Sequence, residues 1–457
     1  MANMLIKNGL VLTMDQKRRV LKDGAVSIEG DHIVAVGKTS DISRRVDVEK
    51  VIDASGKIVM PGLICSHTHL YGILLRGAPL FAKMKPPADF TQILQRVWWP
   101  VDEAMNYQDA YASALVGCLE FLKTGTTFFV DTYSGPNSIE KVLDHIAKAV
   151  KEVGIKGIIA YEATERHSRE EGRRGVKENV RFIKKTGGKG KVRGMFSIHA
   201  SFTVSDDLIK WVRELANTHK VPITMHVSEG LSDVYHNMER YGKQTIERLY
   251  GVGLLGPDVV LAHCVNINHN ELEILVKTGA KVVHNPMSNM LNAVGVAPVP
   301  KMLEMMIPIG LGNDGYIFDG FENLRAAYLL HKVCERDPRV ITPLQTIEMA
   351  TIRGAELYGL EKEIGSIEVG KKADMIIIKP DILPTPLTSQ SVYGHLVNTV
   401  DGDDVETTVV DGKLLMENRK VLTVNEEEAE KIAQKTAAQL WRRLEEVRPQ
   451  MDILGIL

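Results

Sequence analysis

Residues 61–70, PGLICSHTHL, place two histidines one residue apart at the end of an apolar run. The preceding KIVM, residues 57–60, reads as a buried strand. Side chains two apart on a strand share a face, so His67 and His69 both point to one side. Imidazole nitrogen binds zinc and related divalent metals. An isolated histidine at a strand end is more often a hydrogen-bonded packing residue, so the pair needs company before it means chemistry.

The surrounding chain supplies that company. From residue 60 to about 364, strand-like runs alternate with helix-length amphipathic segments. The strands are predicted at LICSHTH, TTFFVDT, KGIIAYEA, RGMFSIHA, PITMHVSE, VVLAHCV, KVVHNP and IGLGNDG. Helical spacing falls between them, as in Tyr111 to Gly125 and in SDDLIKWVRELANTHK at 205–220, where Ser205 is placed to cap. Eight alternations predict a closed (β/α)8 TIM barrel. A doubly wound open sheet is the alternative, but no Gly-rich phosphate loop follows the first strand.

The two ends are written in another style. Residues 1–59 are short strands punctuated by glycine and aspartate, and strands return at 365–423. The expected fold is α/β, with a small β-sandwich domain built from both chain ends and the barrel inserted between them. Residues 424–457 close the chain with a charged amphipathic helix.

Bulk composition narrows the classes. The chain has 457 residues, 44% of them hydrophobic, and a formal net charge of -2. That balance gives no basic face for nucleic acid or a membrane surface. The longest apolar runs are too short to span a bilayer, and the first residues alternate like a strand rather than forming a signal peptide. Cys65, Cys118, Cys264 and Cys334 lack C-x-x-C spacing, which points to reduced thiols in a cytoplasmic protein.

In a parallel barrel the site lies at the C-terminal ends of the strands. Strand one ends in His67 and His69, strand four in His199, and strand five in His226 with Ser228 and Glu229 behind it. Strand six ends in His263 and strand eight in Asp314. Imidazoles and carboxylates from five strands therefore meet at one height. His219, His236, His269 and His331 read as surface or structural, and His284 stays open. The runs RHSREEGRRG at 166–175 and KKTGGKGK at 184–191 read as solvated loops, and Trp98-Trp99 as core or lid packing.

On these residues the chain resembles the amidohydrolase superfamily nearly end to end. The motifs are VMPGLICSHTHLYGILLRG, ITMHVSEG, LAHCV, VVHNPMSNM, LGNDG and GSIEVGKKADMIII. It looks most similar to the branch holding deaminases of adenosine-type nucleosides and guanine, and triazine hydrolases. CSHTHLYG, PPADF, WWPVD and YGK resemble the SsnA-type aminohydrolases. The resemblance implies metal ligation by His67, His69, His226 and Asp314. It implies that Glu229 moves protons, that His263 holds the attacking water and that His199 contacts the substrate. Asn289, Trp99 and Arg166 are further substrate-binding candidates, Arg166 for an anionic group. Binuclear relatives use a carbamylated lysine at the end of strand four. Here that strand carries His199 and no lysine, so one divalent metal is expected, zinc ahead of iron or manganese. SNMLNAVG stands where many relatives have SNMKLASG, in a loop that usually lines the pocket.

The implied reaction is hydrolytic deamination of an aminated N-heterocycle, in a protein that by family habit is a homo-oligomer with a small-molecule heterocyclic substrate. Displacement of chloride or an alkylamine from a heteroaromatic ring would use the same residues. A non-catalytic metal-binding scaffold is the reading from another class, and it has no use for Glu229 or His263.

Overall fold

The computed structural model describes residues 2–44, 48–79, 86–188, 190–381 and 383–453. Eight parallel strands form the barrel: Leu63–Thr68, Thr126–Tyr133, Lys156–Ala163, Phe196–Ala200, Ile223–Val227, Val259–His263, Lys281–His284 and Ile309–Leu311. They are called the first to eighth strands below. Each pairs with its neighbours in sequence order. The second and third are buried at every position, as strands covered by helices on one side and a packed barrel interior on the other must be.

The ring closes between the eighth strand and the first. Thr68 bridges Asp314 in parallel, His69 N–H donates to the Asp314 carbonyl at 2.7 Å, and Asn313 N–H donates to the His67 carbonyl at 3.1 Å. The closure thus runs through the predicted site residues themselves. Gly312 is required there, because a Cβ would lie 2.3 Å from Asn285 Oδ1 and 2.8 Å from the His67 carbonyl oxygen.

The ends of the chain meet in one nine-stranded mixed sheet. Met375–Ile378 pairs antiparallel with Ile58–Pro61 and joins the two halves. Its alternation sorts the residues by face. Met375, Ile377 and Val59 enter a core within the small domain, while Ile376, Ile378, Ile58 and Met60 enter the main core shared with the barrel. The only helix in the first 59 residues among those described is the short Thr39–Ile42. The closing helix runs Glu426–Ile453 and packs back on the barrel, with Trp441 Nε1 donating to the Leu74 carbonyl at 2.8 Å.

One expectation fails. The charged run at 166–175 is not a solvated loop: Arg169–Thr186 is a helix, capped by Ser168 accepting from Glu171 N–H. Most of its charges lie toward water, but Glu171 and Glu178 are buried along with Gly172, Gly175, Val176, Phe182 and Ile183. A Cβ on Gly175 would stand 2.8 Å from the Tyr161 ring, so glycine lets this helix close on the third strand. The two glycines and the charge density hid the helical period. The second run begins as the end of the same helix, and its Lys189 lies outside the described residues.

Candidate active site

The strand ends converge. Ligand atoms of His67, His69, His226 and Asp314 lie within 4.8 Å of one another, and so do those of Glu229, His263 and Asp314. The backbone is bent to achieve this. Ser228, His263 and Asp314 hold φ of 50°, 74° and 62°, left-handed values that cost about 1–3 kcal/mol each for non-glycine residues.

Hydrogen bonds fix the ring tautomers. His69 Nδ1 donates to the Thr132 carbonyl at 2.9 Å, and His226 Nδ1 donates to the His199 carbonyl at 2.8 Å. In the neutral rings both Nε2 atoms are then lone pairs, and they face each other at 3.2 Å. Two lone pairs repel at that distance, so the pair calls for a cation. His67 is buried and neither ring nitrogen has a hydrogen-bond partner. Asp314 Oδ1 stands 3.0 Å from His69 Nε2 and 3.5 Å from His67 Nε2.

The local field agrees. Burial opposes charge on His69, but Glu162 and Asp314 outweigh it and raise its pKa to about 10, so the field draws a proton onto this ring wherever a metal cation does not take its place. Burial likewise opposes charge on Asp314, yet the His67 and His69 imidazoles beside it hold the carboxyl well below its ordinary range. A negative, nitrogen-rich centre results, and the donor set fits a single divalent metal ion.

Glu229 and His263 stand beside this set, 3.5 Å apart. Burial and then the Asp314 charge push the Glu229 carboxyl well above its ordinary value. His263 is fully buried, and desolvation brings its pKa down to about 4, which keeps the ring neutral. Its Nδ1 donates to Asn289 Oδ1 at 2.8 Å, leaving Nε2 as the acceptor.

A cavity opens over these groups. Its floor is His69, His226, Glu229 and Asp314, and Phe90, Leu94, Trp98, Trp99 and Phe202 supply apolar walls. His199 lines it, with Nδ1 3.0 Å from Thr203 Oγ1. Trp98 and Trp99 both line the cavity; the pair read as core or lid packing, with Trp99 also a substrate-binding candidate. Two expected substrate contacts are placed elsewhere. Asn289 is fully buried behind His263 and holds that ring instead of lining the cavity. Arg166 is buried as the 2.7 Å partner of Asp102 and lines an adjoining cavity that shares Trp99 and Phe202.

Other lining residues went unread in the sequence, chiefly Asp102 and Glu162. Asp102 sits on a short helix outside the strand-end pattern, as the last residue of the motif WWPVD, to which no site role was attached. Glu162 was legible, since it is a carboxyl near the end of the third strand in the apolar run KGIIAYEA.

The Amidohydrolase family model matches residues 58–415. A 5'-deoxyadenosine deaminase of Methanobrevibacter smithii is 38% identical over 442 residues, covering 95% of this chain and 98% of its own. A 5-methylthioadenosine/S-adenosylhomocysteine deaminase of Thermoanaerobacter pseudethanolicus is 34% identical, covering 96% and 100%. Among solved structures, a zinc-bound adenosine deaminase from Xanthomonas campestris superposes with a TM-score of 0.88 at 25% identity, covering 97% of this chain and 99% of that one. The zinc-complexed atrazine chlorohydrolase of Arthrobacter aurescens gives 0.82 at 25%, covering 96% and 100%. Relatives matched along almost their whole length and a cation-seeking cluster at the barrel mouth lead to one assignment: the chain belongs to the amidohydrolase family, in its branch of metal-dependent deaminases and chlorohydrolases.

Proposed function

We propose that this protein is a metal-dependent aminohydrolase that deaminates an aminated N-heterocycle, of the purine-like class named in its curated relatives. The observation that carries the reading is the cation-seeking set, His67, His69, His226 and Asp314, with Glu229 and His263 beside it, the Glu229 carboxyl pushed up by burial and by the Asp314 charge. Zinc is the metal of choice, held in two structures of similar fold. The finer likeness is to SsnA-type aminohydrolases, acting in the cytoplasm as a homo-oligomer. Its domain limits are 1–59 and 365–423 for the β-domain, 60–364 for the barrel and 424–457 for the closing helix.

A divalent ion bound by those four residues supplies Lewis acidity that lowers the pKa of water from 15.7 to roughly 7. The chain supplies the rest. His263 Nε2 accepts a hydrogen bond from the attacking water and aims it, with the ring fixed from behind by Asn289. Asp314 accepts the water's proton. Glu229 donates its proton to a ring nitrogen, which makes the neighbouring amino-bearing carbon electrophilic. Water oxygen bonds to that carbon, the proton held by Asp314 passes to the amino group, the C–N bond breaks with its electron pair leaving on ammonia, and the remaining hydroxyl proton returns to Glu229.

The test is a screen of aminated heterocycles for ammonia release, run on protein of measured metal content. Glu229→Gln is expected to keep its metal and lose nearly all turnover. Full activity in that variant would remove the proton-transfer role. Asp314→Ala is expected to lose both metal and rate. The likeness to atrazine chlorohydrolase keeps ring dechlorination as the second reading. Chloride or alkylamine release without ammonia would select it. Bound metal without turnover on any of these compounds would indicate a scaffold.

A further inference from the structure

Five carboxyl groups line the cavity, and among its described lining residues there is no lysine or arginine. Four have their partners. Asp314 belongs to the metal-ligand set, and Glu229 stands beside it, 3.5 Å from His263 Nε2. Asp102 receives Arg166 at 2.7 Å, Ser134 at 3.0 Å and Tyr71 at 3.2 Å. Asp233 accepts from Ser228 N–H at 2.7 Å, from the Asn237 amide at 3.0 Å and from the Ser201 hydroxyl.

Glu162 is the fifth. It is 1% exposed, and one oxygen accepts from Thr132 Oγ1 at 2.7 Å. The nearest imidazole nitrogens are His69 Nδ1 at 3.7 Å and His226 Nε2 at 3.8 Å. Neither has a hydrogen to give, since His69 Nδ1 donates to the Thr132 carbonyl and His226 carries its proton on Nδ1. A buried carboxylate can accept about four hydrogen bonds and is costly to leave short of donors. Glu162 lines the cavity, so its further donors come from whatever fills it, water or substrate.

His199 points the same way. The Thr203 hydroxyl gives its hydrogen to the Ala200 carbonyl at 3.1 Å, so His199 Nδ1 is the donor in their 3.0 Å contact. The other ring nitrogen is then an acceptor. Ligand atoms of His199 and Glu162 lie within 4.8 Å of each other and of His226, which links this pair to the metal-ligand set. Two acceptors each about 2.9 Å from one amino nitrogen, along its two N–H bonds, stand roughly 5 Å apart.

We propose that Glu162 and His199 form a second amino-group subsite, which reads an exocyclic –NH2 on the substrate other than the one that leaves. The preferred substrate is therefore a diamino-type heterocycle, with one amino-bearing carbon facing Glu229 and a second amino group donating to Glu162 and His199. This rests on the deaminase reading for the orientation of the ring. A simple adenine-type ring leaves Glu162 without its donor.

Purine and 2-aminopurine differ only by an exocyclic amino group, and neither carries a 6-amino leaving group. Their binding to the metal-loaded enzyme is measured by calorimetry, with metal content determined for each protein. The wild type is expected to bind 2-aminopurine about 10- to 100-fold more tightly than purine, the discrimination of one hydrogen bond to a charged acceptor. Glu162→Leu is expected to abolish the preference, and the isosteric Glu162→Gln to reduce it, with metal content unchanged in both. Equal affinity in the wild type, or a preference that survives in Glu162→Leu, overturns the subsite. A parallel loss of metal in Glu162→Gln and Glu162→Leu also overturns it, because Glu162 would then belong to the metal shell. The readout is independent of turnover. If the preference appears but no compound releases ammonia, the deaminase reading fails and the subsite stands.

Discussion

His67 shows how much chemistry one side chain can reveal. A buried imidazole with no hydrogen-bond partner on either nitrogen is unstable unless something binds it. His67→Ala is expected to cut metal content sharply in purified protein, as measured by elemental analysis. His263 has the opposite need, being held by Asn289 at 2.8 Å so that one nitrogen always faces the site. Asn289→Ala frees that ring, and kcat should fall about 10- to 100-fold with metal retained. Unchanged kcat in that variant would leave Asn289 a packing residue. His67, His69, His226, Glu229, His263 and Asp314 were all legible from their places at predicted strand ends. The position of Asn289 was not, because which of two neighbouring groups an amide faces depends on the fold around it.

At the scale of elements, the loop after the third strand is pinned by charge. His167 bridges Glu103 at 2.9 Å and Glu171 at 2.5 Å, joining the short helix Trp99–Ala104 to the helix Arg169–Thr186. Hydrogen bonds to Glu103 and then Glu171 raise its pKa to about 10. The folded state therefore binds this proton more tightly than the unfolded chain, whose imidazole titrates near 6.5. The stabilisation is complete below pH about 6.5 and is lost as pH rises through about 10. His167→Ala should lower the Tm at pH 6, and the gap to wild type should close near pH 10. A gap that stays constant across that range would show that packing, not charge, is what His167 contributes. The strands were legible as apolar runs, and Ser205 caps the helix Asp206–His219 as read. The helix Arg169–Thr186 was not, because glycines and charges mask a period that the third strand's surface makes sense of.

Across the whole molecule, the β-domain is tied to the barrel by a buried charge cluster. Lys156, at the start of the third strand, sits 2.5 Å from Asp374 and 2.8 Å from Asp411, and all three side chains are largely buried. Lys156→Met leaves two carboxylates facing each other without a cation. The expected loss is about 3–5 kcal/mol, read as a lower midpoint in denaturant. The variant should recover part of that stability when Asp411 is also replaced by Asn. Additive losses in the double variant would show that the three charges act independently.

The sequence by itself determined the barrel, the second sheet and the metal-seeking set, because each is written in local periodicity. Alternating strand and helix periods specify a (β/α)8 ring, and such a ring brings the ends of its strands to one rim. The tertiary structure alone decided what surrounds that set. Asp102 and Arg166 meet across 64 positions, Asn289 turns to His263 across 26, and Glu162 is left short of donors by the bonds its neighbours make. Periodicity tells which face a residue occupies. Hydrogen-bond supply and demand at a buried point depends on every chain segment that reaches it, so it is settled only when the fold closes.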